Sequence, residues 1–141
     1  ESPWMPLLNL AKQSGEEAGA EVSDVLDAES KEGIKHTKKE VEEATRRAQR
    51  RARTAVLDLS LSLAASWARD WAAVLSAAPE VIFNTDRREQ LEAEADGMRL
   101  DTARSTVELI AATRSSFKLN VSEELALEAL CYRMTRLLNP V

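Results

Sequence analysis

A single histidine, a single cysteine, adjacent glutamate pairs and a run of five arginines are the residues of this 141-residue chain best equipped for chemistry. A metal site needs three or four converging ligands, and His36 sits among polar residues with neither a second histidine nor a cysteine near it. Cys131 has no partner for a disulfide and falls at an apolar helical position, so it reads as a buried, inert thiol of a reducing compartment. Glu42 with Glu43, and Glu123 with Glu124, are neighbours in sequence. On a helix they point about 100° apart and do not converge on a substrate. There is no phosphate-binding glycine loop, no G-x-S-x-G, no H-E-x-x-H and no C-x-x-C. Neither catalysis, a cofactor, a metal nor a small-molecule substrate is expected.

The arginines carry a different chemistry. Net charge is −5, yet Lys35 to Arg53 holds eight basic residues against three glutamates. Arg46, Arg47, Arg50, Arg51 and Arg53 cover the helix face opposite a stripe of alanines, where Glu42–Arg46 and Glu43–Arg47 make favourable i,i+4 pairs. That face suits solvent or an acidic neighbour. Contact with nucleic-acid phosphates is the rival reading, weakened by the absence of interleaved aromatics. Trp67 and Trp71, one turn apart in an apolar sector, read as core. Arg114 occupies the missing place in the stripe Ala103, Val107, Ile110 and Phe117. A guanidinium there must reach water or find a carboxylate, with Glu128 the candidate acid.

The elements that position these residues are all helical. Pro6 starts a short helix over residues 4–13, and Ser14 with Glu17 has capping-box spacing for a second segment, weakened by Gly15 and Gly19. Residues 27–37 read as a loop. Thr37 with Glu40 is another capping box, and no proline or glycine follows until Pro79, so one long helix is expected over Thr37 to Ala78. Its stripe of Val41, Ala44, Ala48, Ala52, Ala55 and Leu59 would let a second helix approach. Further on, Val56, Leu57, Leu61, Leu63, Ala64, Trp67, Ala68, Trp71, Val74 and Leu75 form a wider core face. Asp86 and Glu89 open a short helix ending near Gly97, and Asp101 introduces another to about Leu119.

The last helix, Ser122 to Leu138, has one broad apolar face and a second, thin stripe of Leu125, Ala129 and Tyr132. A surface helix of a monomer needs only one such face. No alternating run suggests a strand, so the fold class is all-α: a bundle of about five helices with one long central helix. Residues 1–36 form an N-terminal helical segment with a polar loop, and residues 37–141 the bundle. No apolar run reaches the ~20 residues of a membrane span. No leader is evident, and the protein is expected in the cytoplasm. The start at Glu1 suggests a piece of a longer polypeptide.

The residues Ile110, Arg114, Phe117, Asn120, Leu125, Ala126, Leu127, Glu128 and Leu130 together resemble the C-terminal collar domain of the delta-prime subunit of the bacterial DNA polymerase III clamp loader. Members of that family carry an arginine at the end of one helix and "N-x-N-P-R-L-A-L-E-x-L" opening the last. The long helix, with Trp67, Arg69 and Asp70 matching a "W-x-R-D" patch, is similar too, and the polar insertion around residues 15–40 looks actinobacterial. Ser122 and Glu123 depart from the family's asparagine and proline, although serine caps a helix as well as asparagine does. Gamma/tau and delta collars share the architecture.

The resemblance implies a non-catalytic domain that helps close a pentameric ring with the gamma/tau and delta collars in the bacterial replisome. It would touch DNA only indirectly, within a complex having DNA-directed DNA polymerase activity. Its candidate interface is Leu125, Ala129, Tyr132, Arg114, Asn120 and Glu128. A nucleic-acid-binding module and a stand-alone helical regulator are the alternatives.

Overall fold

The computed structural model describes residues 2–139, and every regular element among them is helical. The all-α bundle expected from composition is therefore the observed class, with five α-helices. The chain divides into two compact units between Asp58 and Leu59, within the long second helix.

In the first unit α1 runs unbroken over Met5–Lys31, followed by the part of α2, Lys38–Leu75, that precedes Leu59. At 1.5 Å per residue α2 is about 57 Å long. The break expected near Ser14 is absent, and the two glycines that weaken the helix lie directly against α2. A Cβ on Gly15 would lie 2.7 Å from Arg53 Cγ and 3.1 Å from the Gln49 carbonyl oxygen. One on Gly19 would lie 2.7 Å from Gln49 Cγ. Leu8, Ala11, Gly15 and Gly19, spaced by three and four, form the buried face of α1. Each glycine costs a helix about 1 kcal/mol relative to alanine, and close packing offsets that cost.

The expected docking stripe is correspondingly shifted. Val41, Ala44, Ala48 and Ala52 are half-buried, whereas Ala55 and Leu59 are exposed, and Gln49 and Arg53 lie under the glycines.

Residues 27–31 are helical, not loop, since nothing stops α1 before Gly33. There Gly33 adopts φ +99°, its N–H reaches the Ser30 carbonyl, and the Ile34 N–H reaches that of Glu29. That is a Schellman stop. His36 Nε2 lies 2.7 Å from Glu29 Oε2, holding the connection to the end of α1. The Thr37 capping box forms in both directions: the Thr37 N–H donates to Glu40 Oε2 at 2.7 Å and the Glu40 N–H to Thr37 Oγ1 at 3.2 Å.

In the second unit α2 closes with the same motif, the Ala77 N–H on the Val74 carbonyl and the Ala78 N–H on that of Ala73. Ala77 takes the left-handed position at φ 53°. Short 3₁₀ turns at Pro79–Val81 and Thr85–Arg87 lead to α3, Arg88–Ala95. Asp86 does not cap α3, because the 3₁₀ turn runs straight into it and leaves no extended N-cap residue. A turn at Gly97, φ 73°, precedes α4, Leu100–Ser116. Its N-cap is Arg99, with Asp101 in the first turn. A further 3₁₀ turn, Phe117–Leu119, and left-handed Asn120 lead to α5, Glu123–Leu138, which packs along α4.

Ala73, Ile82 and Leu91 form a buried cluster, with Trp67, Trp71 and Val74 packed against it. The two tryptophans thus serve as core, as expected. Leu63 and Ala64, read as core in the sequence, are exposed. Among the described residues no helix is long and apolar enough to cross a membrane.

Candidate interaction face on the last two helices

The junction at residues 115–125 sets how α5 presents its surface. Asn120, at φ 58° and ψ 35°, reverses the chain in a conformation that asparagine tolerates better than most residues. Ser122 then caps α5, its hydroxyl accepting from the Leu125 N–H at 3.4 Å, while Glu123 and Glu124 place negative charge at the positive end of the helix.

From this start the helical period turns Leu127 and Leu130 into the core. Leu125 and Tyr132 remain outside, 65% and 63% exposed, with Ala129 between them also exposed. Beside this stripe a groove of about 1030 Å³ follows the α4–α5 seam, lined by Leu109, Ala112, Ala129, Tyr132 and Arg136 among others. A second hollow of about 330 Å³ continues it toward Leu125 and Val121, and the two share Ala112, Ala129 and Arg133. The Arg136 guanidinium lies 5.9 Å from the centre of the Tyr132 ring.

The other interface candidates are dispersed around this face. Arg114 is half-buried in the last turn of α4, and Asn120 and Glu128 are exposed. Cys131 is half-buried on α5, and burial pushes its thiol pKa up, away from the reactive thiolate.

The arginine run separates into different environments. Arg46, Arg47, Arg50 and Arg51 are exposed. Arg47 pairs with Glu43 at 3.4 Å, but Glu42 pairs with Lys38 at 3.9 Å instead of the expected Arg46. Arg53 is half-buried against Gly15 and does not belong to the open basic face. Glu43, Arg46, Arg47 and Arg50 surround a shallow hollow of about 180 Å³.

Two carboxylates whose structural role the sequence did not disclose hold the second unit together. Asp70 is fully buried. It accepts from the Phe83 N–H at 3.0 Å, the Asn84 N–H at 2.9 Å and Asn84 Nδ2 at 2.7 Å. Burial alone would raise its pKa, but these hydrogen bonds, aided by the charge of Arg69, hold it below the ordinary value. Arg69 itself stacks over the Phe83 ring at 4.2 Å. Glu94 Oε2 accepts both indole N–H groups, from Trp67 at 2.7 Å and Trp71 at 2.9 Å, while Gln90 donates to its other oxygen at 2.8 Å. Its pKa is lowered as well, the hydrogen bonds outweighing burial.

The signal for Asp70 was present in the sequence: an acid spaced by three and four from Trp67, Ala73 and Val74. Glu94 gives none for its indole contacts, since Trp67 and Trp71 lie more than twenty residues away. Both carboxylates act as fixed acceptors, with their lone pairs committed to structure. Among the described residues no three His, Cys, Asp or Glu side chains are grouped to hold a metal. No protein-family profile, no curated protein and no solved structure matches the chain.

Proposed function

We propose that this chain is a non-catalytic assembly domain of a bacterial clamp-loader subunit, of the delta-prime collar type. It joins gamma/tau and delta collars through the outer face of α5 and helps complete the ring that places the sliding clamp on primed DNA. The observation that carries the reading is the second apolar face of α5: Leu125 and Tyr132 stand largely in solvent beside an open groove, on a helix whose opposite side already supplies the core. A monomer gains nothing from that arrangement, whereas a partner burying both side chains would gain affinity from a leucine and a tyrosine at the centre of a contact. The resemblance of residues 110–130 to delta-prime collars names the partners. The test is co-purification of the chain, and of a Leu125→Glu/Tyr132→Glu variant, with gamma/tau and delta subunits.

A second reading, contact with nucleic-acid phosphates, draws on the exposure of Arg46, Arg50 and Arg51 on one part of α2. It predicts duplex or primed-template binding that falls steeply with salt. Absence of binding at low salt ends it.

A further inference from the structure

The carboxylates within one turn of the α2 arginines leave two of those arginines unmatched. Glu42, four residues before Arg46, pairs with Lys38 at 3.9 Å, and Glu43 with Arg47 at 3.4 Å. Among the described residues Arg46 and Arg50 have no ion-pair partner. Together with Glu43 and Arg47 they enclose the hollow of about 180 Å³. Their spacing of i, i+3, i+4 and i+7 puts all four on one helix face, over about 10.5 Å at 1.5 Å per residue. Lys39 and Arg51, both exposed, extend the positive charge on either side.

The donors decide what this hollow can hold. The α2 backbone amides are hydrogen-bonded within the helix, so every donor is a guanidinium N–H, whose planar fork meets two phosphate oxygens at once. No aromatic side chain lines the hollow, so a nucleotide base has nothing to stack on. A phosphodiester brings a single charge to the three guanidiniums, whereas a di- or triphosphate brings several. Glu43 opposes either one. Its contact with Arg47 is longer than the ~2.7–2.9 Å of a strong charge-assisted hydrogen bond, and the two side chains are 43% and 79% exposed, so the pair is weak. An entering phosphate draws Arg47 away from Glu43 and is then repelled by the carboxylate left behind.

We propose that the hollow of Arg46, Arg47 and Arg50 is a binding site for a compact phosphoanion, the di- or triphosphate group of a free nucleotide or of an inorganic polyphosphate, with Glu43 as its internal competitor. The site uses arginines of the nucleic-acid reading above but requires no nucleic acid, and it stands apart from the assembly reading.

The test titrates the 141-residue chain by calorimetry with sodium tripolyphosphate, ATP and a primed template, at low and high salt. Wild type is compared with Arg46→Gln/Arg50→Gln, Glu43→Gln and Arg133→Gln/Arg136→Gln, with circular dichroism on each. The last pair is equally exposed on α5 and controls for general attraction to cations. Tripolyphosphate affinity at low salt should fall about tenfold or more for Arg46→Gln/Arg50→Gln, rise about threefold for Glu43→Gln, and stay within about twofold of wild type for the control. A gain in Glu43→Gln cannot come from unfolding. ATP should bind within about threefold of tripolyphosphate, since only the phosphate chain is held. No tripolyphosphate binding by wild type at low salt, an equal loss in the control pair, or ATP binding more than about tenfold tighter than tripolyphosphate overturns the proposal. Template binding without tripolyphosphate binding overturns it and leaves the nucleic-acid reading standing, whereas the converse supports it and ends that reading.

Discussion

Replacing Asp70 with alanine tests how the second unit is held together. The carboxylate is 0% exposed and accepts three hydrogen bonds of 2.7–3.0 Å, two of them from the backbone N–H groups of Phe83 and Asn84. Hydrogen bonds to a charged group contribute about 1.5–3 kcal/mol each, so three taken at face value would reach about 4.5–9. Removing the carboxylate also removes the cost of keeping a charge out of water, and bonds to one group are not additive. The expected loss for Asp70→Ala is therefore about 3–5 kcal/mol, a large share of the ~5–15 of a typical domain.

Asp70→Asn keeps one carbonyl oxygen but turns an amide N–H₂ toward donors, and should lose about 2–4 kcal/mol. Asn84→Ala sacrifices only the 2.7 Å side-chain bond and should lose about 1–2. Urea unfolding followed by tryptophan fluorescence and circular dichroism reads all three. The pH dependence has a definite sign. The folded pKa lies below the ordinary 3.8, so the unfolded chain takes up the proton first. The contribution is complete above the unfolded pKa and is lost as pH falls through the folded one. An Asp70→Ala protein within about 0.5 kcal/mol of wild type, with an unchanged acid transition, would refute this account of the clamp.

Other perturbations have equally definite signs. Gly15→Ala should destabilise by about 1–2 kcal/mol, because its methyl meets a backbone oxygen as well as Arg53, and this outweighs the gain in helix propensity. Gly19→Ala meets only the Gln49 side chain and should cost less in the same urea titration. Ala77→Gly should raise stability by about 0.5–1 kcal/mol, since the left-handed position at φ 53° suits glycine, and a rise in thermal midpoint would register it. Glu94, also lowered in pKa, keeps its hold on Trp67 and Trp71 down to its folded pKa, and the stability this adds is complete above its unfolded one. Tryptophan emission should shift as pH falls through its folded value, and Glu94→Gln should abolish that shift.

Much of this fold could be read from local sequence, and the misreadings have a common physical cause. The capping boxes and the proline- and glycine-free run located α2, because those features act within one turn. The two-sided pattern of α5 emerged from the 3.6-residue period, since Leu127 and Leu130 against Leu125 and Tyr132 differ only in helical phase. Gly15 and Gly19 misled because a glycine's local cost is visible in the sequence while the close approach that offsets it belongs to a distant helix. The same holds for Arg53, assigned to the basic face by phase and drawn inward by Gly15. The Trp67–Trp71–Glu94 cluster escaped notice because a carboxylate on an otherwise charged helix looks solvated until α3 folds against α2. Leu63 and Ala64 show the reverse: the apolar sector is wider than the surface that covers it.

The central claim concerns the outer face of α5, and one measurement bears on it most directly: the affinity of the full chain for gamma/tau and delta subunits with and without Leu125→Glu/Tyr132→Glu. Both positions are exposed, so the variant should unfold at the wild-type urea midpoint. Each side chain buried at a partner contact is worth about 2 kcal/mol, and binding should fall roughly a thousandfold or beyond detection. A folded variant that binds these subunits as tightly as wild type would contradict the account.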